Sequence, residues 1–147
     1  MTVALLASKL ISVFEGCRLT AYWDPTGKRW TIGLGHTGPL PWSGPLKAGD
    51  TITQEQAAAL LEADAAPLIK LVEDRPLIAA AALVSFGINC GEGALRRVLS
   101  GSIAIDHEEF MSGADAYGES SGGARLPGLV ARRQLEAALI EAERTQP

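Results

Sequence analysis

The chain is poor in the residues that build metal, redox and nucleic-acid sites. Among its 147 residues there are two histidines and two cysteines, Cys17 and Cys90. Two histidines are too few for a histidine-based metal site, so no metal and no cofactor are expected. The cysteines match neither a CxxC pair nor a metal-ligand spacing, and read as free, partly buried thiols. A bridge between them would require the fold to bring them together. There is no excess of basic charge either: 13 Lys and Arg stand against 17 Asp and Glu, for a net charge of −4. That excludes a general attraction to nucleic acid or to an anionic surface, although Arg125, Arg132 and Arg133 lie close together in sequence. No run reaches the roughly 20 apolar residues that span a bilayer, so stable membrane insertion is not expected. The apolar segment VALLASKLISVF is interrupted by Lys9 and has no basic stretch before it. It reads as an amphipathic helix with Leu6, Leu10 and Val13 on one face, not as a signal peptide. No internal repeat is visible.

What remains, 47% hydrophobic and 20% charged residues, is the composition of a soluble globular protein. Residues 3 to 15 predict a first helix, ended by Gly16. RLTAYW and RWTIGLG predict two short strands rich in Tyr, Trp, Thr and Ile. Between them DPTGK is a turn, with Pro25 presetting φ and Gly27 permitting positive φ. The proline- and glycine-rich residues 37 to 50 predict an irregular loop. Thr53 and Gln56 match a capping box at the start of a long helix carrying Leu60, Leu61, Asp64 and Leu68, with a kink or break expected at Pro67. The nearly all-apolar residues 76 to 89 predict a buried central helix. Shorter helices are expected at 94 to 100 and 104 to 111, then a Gly- and Ser-rich loop. A last amphipathic helix should turn Leu129, Leu135, Leu139 and Ile140 to the core. The expected architecture is α+β in one domain, with a small antiparallel sheet lobe (16–52) and a larger helical lobe (1–15 and 53–147). A cleft between such lobes is the default ligand site.

FEGCRLTAYWDPTGKRWTIGLGHT, residues 14 to 37, carries the chemistry. Glu15 closes a helix beside Phe14, and an acid packed against apolar groups loses solvation, which favours its protonated form. Asp24 lies at the mouth of a turn, where water and turn amides keep it ionised. Two carboxylates facing one another in opposite protonation states are the parts needed to hydrolyse a glycosidic bond, and Thr31 could hold a water beside Asp24. Each carboxylate alone is a common structural feature, so the pair by itself leaves hydrolysis and plain structure both open.

The order E-G-x-R-L-x-A-Y-x-D-x-x-G-x-x-W-T-I-G-x-G-H-T closely resembles the catalytic segment of the phage-type lysozymes, glycoside hydrolase family 24. The resemblance continues through ITQEQAAALLEAD, LVSFGINCG and LPGLVARRQLE, and so covers most of the chain. It implies a lysozyme-like fold with Glu15 as general acid, Asp24 as base or electrostatic partner, and Thr31 holding the attacking water. Six residues separate Asp24 from Thr31, one more than in the familiar phage members, so Thr26 stands as an alternative to Thr31. The resemblance also implies a structural pair between His36 and Asp64, and substrate contact at Asn89, for which a helix cap is the competing reading. Gly35, with Gly33, either lets a sugar lie against the strand or serves tight packing; the run lacks a dinucleotide-binding pattern. Arg125 either reaches Glu15 or is a surface residue, and Arg132 and Arg133 read as stabilising the fold or attracting the cell wall. Trp23, Trp30 and Trp42 pack the sheet lobe or stack on sugars.

The function implied is that of an endolysin muramidase. It would cleave the β-1,4 bond between N-acetylmuramic acid and N-acetylglucosamine in the glycan strands of bacterial peptidoglycan, for host cell lysis. It would work as a monomer, collect in the host cytoplasm and reach the wall once a holin-like pore opens. The alternatives are a lytic transglycosylase or chitinase on the same scaffold, or a non-catalytic cell-wall-binding module.

Overall fold

A computed structural model describes residues 1–25, 27–111 and 126–145. Helix α1, Val3–Glu15, starts where the Thr2 hydroxyl accepts from the Leu5 amide and stops at Gly16, whose φ of 64° lies where a side chain would be strained. Its buried positions are Ala7 and Ile11. Leu6 and Leu10 are half-buried beside them, while Val13, at the edge of that stripe, is 74% exposed. The expected Leu6–Leu10–Val13 face is thus rotated toward Ala7 and Ile11.

Strands β1 (Arg18–Asp24) and β2 (Arg29–Gly33) form a two-stranded antiparallel sheet. Tyr22 faces Thr31, Trp23 faces Trp30 and Asp24 faces Arg29 across the ladder. The alternation of a strand puts Tyr22, Thr31 and Asp24 on one face and the Trp pair on the other. In the turn the positive φ belongs to Lys28 (49°), not to Gly27. Gly27 serves a different need: a Cβ there would lie 2.7 Å from Asp24 Oδ2. The bare backbone makes room for the carboxylate.

Helix α2, Gln54–Leu71, opens with both halves of the predicted capping box: Gln56 N donates to Thr53 Oγ1 at 3.1 Å, and Thr53 N donates to Gln56 Oε1 at 2.9 Å. Pro67 does not break it; the helix continues for four residues beyond. The helix serves two cores. Ala57 and Leu60 pack with Ala21, Ile32, Leu40 and Ile52 of the sheet region, and Leu61, Ala65 and Leu68 pack with α1 and the later helices.

Helix α3, Leu77–Cys90, is buried from Ala79 through Gly87. Helix α4, Glu92–Leu99, follows directly, with Gly91 (φ 92°) ending one and starting the other. The helix expected over 104–111 is only a 3-10 turn, Glu108–Phe110, capped by the His107 ring. The last helix, α5, spans Pro127–Arg144. Its buried residues are Arg132, Arg133 and Glu136, while Leu135 is 37% exposed and Leu129, Leu139 and Ile140 are half-buried. Ile140 packs against the core as expected, but the most deeply buried side chains of the helix are charged, and Leu135 is turned outward. The predicted Gly- and Ser-rich loop, Arg125 and Thr26 lie outside the described residues. No helix among the described residues is long and apolar enough to cross a membrane.

Candidate active site

Glu15 is the last residue of α1. Beside the expected apolar neighbour Phe14 the acid meets a guanidinium, that of Arg132, whose Nη1 donates to Glu15 Oε1 at 2.6 Å. The rest of Arg132 is fixed on every side. Nη2 donates to the Ser85 carbonyl at 3.0 Å, Nε donates to Glu136 Oε1 at 3.2 Å, and the guanidinium lies 5.2 Å over the Phe14 ring. The Glu15 side chain retains 25% exposure, against 3% for Arg132. The acid is therefore pinned from behind and open in front. Burial in such company excludes the wall-attracting reading of Arg132 and Arg133.

The opposite wall comes from the hairpin. Tyr22, half-buried on β1, has its phenol pushed upward by burial first, and then by the carboxylates of Glu15 and Asp24; Arg18 and the Thr31 hydroxyl oppose the shift. Both acids thus lie within electrostatic reach of one phenol. The Arg18 guanidinium sits 4.4 Å over that ring. Thr31 is 4% exposed, and its Oγ1 has no full hydrogen bond among the described residues. Its approach to the Tyr22 phenol falls short of that geometry. A buried hydroxyl without a partner is uncommon, and at a functional site marks a place for water or ligand. Sequence reading passed over Tyr22, although its signal was there: it sits two residues from Asp24 on a strand, and so on the same face.

Gly35 lies in the turn that leaves β2, with φ 92°. A Cβ there would touch the Glu15 carboxyl carbon at 3.8 Å, so the backbone lines the acid. Gly33 instead backs onto Ile52 and Ala57, where a Cβ would come within 3.3 and 3.4 Å; close packing explains it. The same turn carries His36 to α2: Nδ1 lies 2.7 Å from Asp64 Oδ2, and Nε2 3.3 Å from the Pro39 carbonyl. The Asp64 bond raises the His36 pKa above 6.5, against the opposing effect of burial. A raised folded-state pKa means the pair's stabilisation is complete below about 6.5, the unfolded value, and is lost as pH rises through the higher folded value. Asp64→Asn should cost about 1 kcal/mol in mildly acidic buffer, since the amide oxygen still accepts from the ring and the pair is partly screened, and clearly less in alkaline buffer. Thermal melts of both proteins across that range check it, and a pH-independent difference would contradict it.

Asn89 is exposed on the last turn of α3 and accepts from Arg133 Nη1 at 2.9 Å. The cap belongs to Gly91, whose amide bonds to the Gly87 carbonyl. Arg133 Nη1 also reaches Cys90 Sγ at 2.6 Å. Cys17 and Cys90 are both free, Cys90 half-buried as expected but Cys17 exposed, and burial pushes the Cys90 thiol up to about 11. Trp23 and Trp30 meet edge to face at 5.7 Å. Trp23 and Trp42 are 51% and 48% exposed, whereas Trp30 packs against the sheet core. Among the described residues no group of three or more His, Cys, Asp or Glu is placed to hold a metal.

Comparison with known proteins places this geometry. The profile of the family described as Phage lysozyme matches residues 12–136. An endolysin of Acyrthosiphon pisum secondary endosymbiont phage 1 is 37% identical, over 90% of this chain and 92% of its own length. An endolysin of Lactococcus phage c2 is 38% identical over 95% of this chain, which spans 60% of that longer protein. Among solved structures, the endolysin from Escherichia coli O157:H7 phage FAHEc1 superposes with a TM-score of 0.71 at 27% identity, covering 100% of this chain and 97% of that one. The muramidase domain of SpmX from Asticaccaulis excentricus superposes with a TM-score of 0.63 at 31% identity, covering 96% and 95%. With a profile match over most of its length and a relative matched nearly end to end, the chain belongs to the phage lysozyme family.

Proposed function

We propose that this protein is an endolysin muramidase that hydrolyses the β-1,4 bond between N-acetylmuramic acid and N-acetylglucosamine in bacterial peptidoglycan. Membership of the phage lysozyme family makes it a glycoside hydrolase acting on peptidoglycan. The observation that carries the finer reading is the setting of Glu15, a partly exposed carboxylate held at 2.6 Å by a buried arginine and lined by Gly35, in the turn that leaves the hairpin bearing Asp24 and Thr31. In this reading Glu15 protonates the leaving sugar oxygen as the bond to the anomeric carbon breaks. A water held by the otherwise unsatisfied Thr31 hydroxyl attacks that carbon from the other face, and Asp24 receives its proton. Gly35 leaves backbone where the sugar approaches Glu15, Asn89 offers its exposed amide to the glycan, and His36–Asp64 ties the hairpin region to α2. The chain would act as a single domain, 1–147, and as a monomer. It would depend on a holin-like pore to pass from host cytoplasm to wall; fractionation that found it outside the membrane before any pore opened would contradict that route.

Digestion of purified peptidoglycan, with products read by mass spectrometry, tests the activity. Hydrated reducing muramic ends are expected. Anhydromuramic ends would make the protein a lytic transglycosylase, and reducing N-acetylglucosamine ends would move the cut to the other bond. Binding without products would make it a wall-binding module.

A further inference from the structure

Behind Glu15 lies a buried charge cluster that the hydrolytic steps do not use. Glu136 is 1% exposed and sits between two arginines of its own helix that are as deeply buried, Arg132 at 2% and Arg133 at 0%. Its Oε1 accepts from Arg132 Nε at 3.2 Å and from Ser85 Oγ at 2.8 Å, and its Oε2 lies 2.8 Å from Arg133 Nε. The spacing of α5 makes this possible: residues three and four apart share a face, so one carboxylate reaches both guanidiniums. Arg133 turns its far end to Asn89 and Cys90, and Arg132 turns its far end to Glu15. A guanidinium is planar, so fixing its Nε edge on Glu136 fixes where Nη1 points. Glu136 is the fixed counter-charge beside both guanidiniums, since Glu15 opposes Arg132 only while it is ionised; without Glu136 the two buried cations would depend on the acid itself.

We propose that Glu136 is a positioning residue for glycoside hydrolysis, acting through Arg132 to set both the place of the Glu15 carboxylate and the strength of the pull on it. This rests on the role of Glu15 as the acid. The charged and titratable groups facing Glu136 are Arg132 and Arg133 on α5, Cys90 on α3 and, across Arg132, Glu15 on α1.

The test is Glu136→Gln, which keeps shape and removes the charge, assayed on soluble peptidoglycan glycan fragments per folded molecule. The expected result is a fall in kcat of between about 10- and 100-fold, the scale of a small misplacement of a catalytic group, with KM within about twofold. The less-opposed Arg132 should favour the ionised acid, so the alkaline limb of the pH–rate profile should move to lower pH. Ser85→Ala removes one donor from Glu136 and keeps every charge. It should shift the same quantities less, and it stands in if Glu136→Gln does not fold. Glu136→Asp, which restores the charge, should recover the limb. Wild-type kcat and an unmoved limb in the folded variants would overturn the proposal. Glu15→Gln run alongside separates the two readings: full activity there sinks the assignment of the acid, whereas an inactive Glu15→Gln beside an unaffected Glu136→Gln sinks only the role of Glu136.

Discussion

Glu15→Gln should lower peptidoglycan hydrolysis by about 10²–10⁴-fold, the usual worth of a positioned general acid, and leave the fold in place. The geometry explains why the two effects separate. A glutamine side-chain oxygen can still accept from Arg132 Nη1, where the native carboxylate accepts at 2.6 Å. Arg132 also keeps its bonds to Ser85 and Glu136 and its place over Phe14. The loss of stability should be about 1 kcal/mol, the net worth of weakening one hydrogen bond, so Tm should fall by roughly 2–4 °C. The proton is a different matter. An amide cannot deliver one to a leaving sugar oxygen, and no second carboxylate on α1 can replace Glu15, since it is the only acid in that helix. Turnover close to wild type would remove Glu15 from the chemistry. A collapse of Tm would mean that its main work is structural.

The sequence made the catalytic segment legible because local and global demands agree there. The hairpin needs Tyr, Trp, Thr and Ile on its strands and a turn between, and the motif supplies both. The capping box at Thr53 and Gln56 is likewise a local device, and it forms as written. Departures arise where a distant contact decides. Val13 belongs by type to the apolar face of α1, but the stripe that meets the later helices is centred on Ala7 and Ile11. Pro67 removes one hydrogen bond from α2, yet its neighbours Ala65 and Leu68 are locked in the core, which holds the helix through the defect. A turn composition assigns Gly27 freedom of φ, whereas its use is the space left for Asp24, a side chain three residues away. The greatest departure is α5. A polar-out, apolar-in pattern assigns its leucines to the core, and such a pattern cannot register that Arg132, Arg133 and Glu136 neutralise one another and the acid at the end of α1. The surviving signal is the spacing R-R-x-x-E, which places three charges on one face of a helix.

That inverted face leads to the second large effect. Arg133 is fully buried, with its guanidinium 5.0 Å over the Phe86 ring, and its nitrogens serve Asn89, Cys90 and Glu136. Arg133→Met preserves much of the volume and the apolar stem but deletes the charge. Among the described residues Glu136 is then left paired with Arg132, which is already shared with Glu15. Breaking a buried pair from one side costs about 3–5 kcal/mol because the remaining charge stays out of water, and Tm should fall by about 6–20 °C. Arg96→Met provides the contrast. Its pairing with Glu92 is solvent-exposed, and pairs of that kind contribute at most about 1 kcal/mol. If charge imbalance is the cause, adding Glu136→Gln to Arg133→Met removes the stranded carboxylate, and the double variant should be less destabilised than the sum of the singles. Denaturant titrations of the four proteins in that cycle measure this coupling directly. Simple additivity would assign the cost of Arg133→Met to lost packing against Phe86, and the charges of α5 would then be independent of one another.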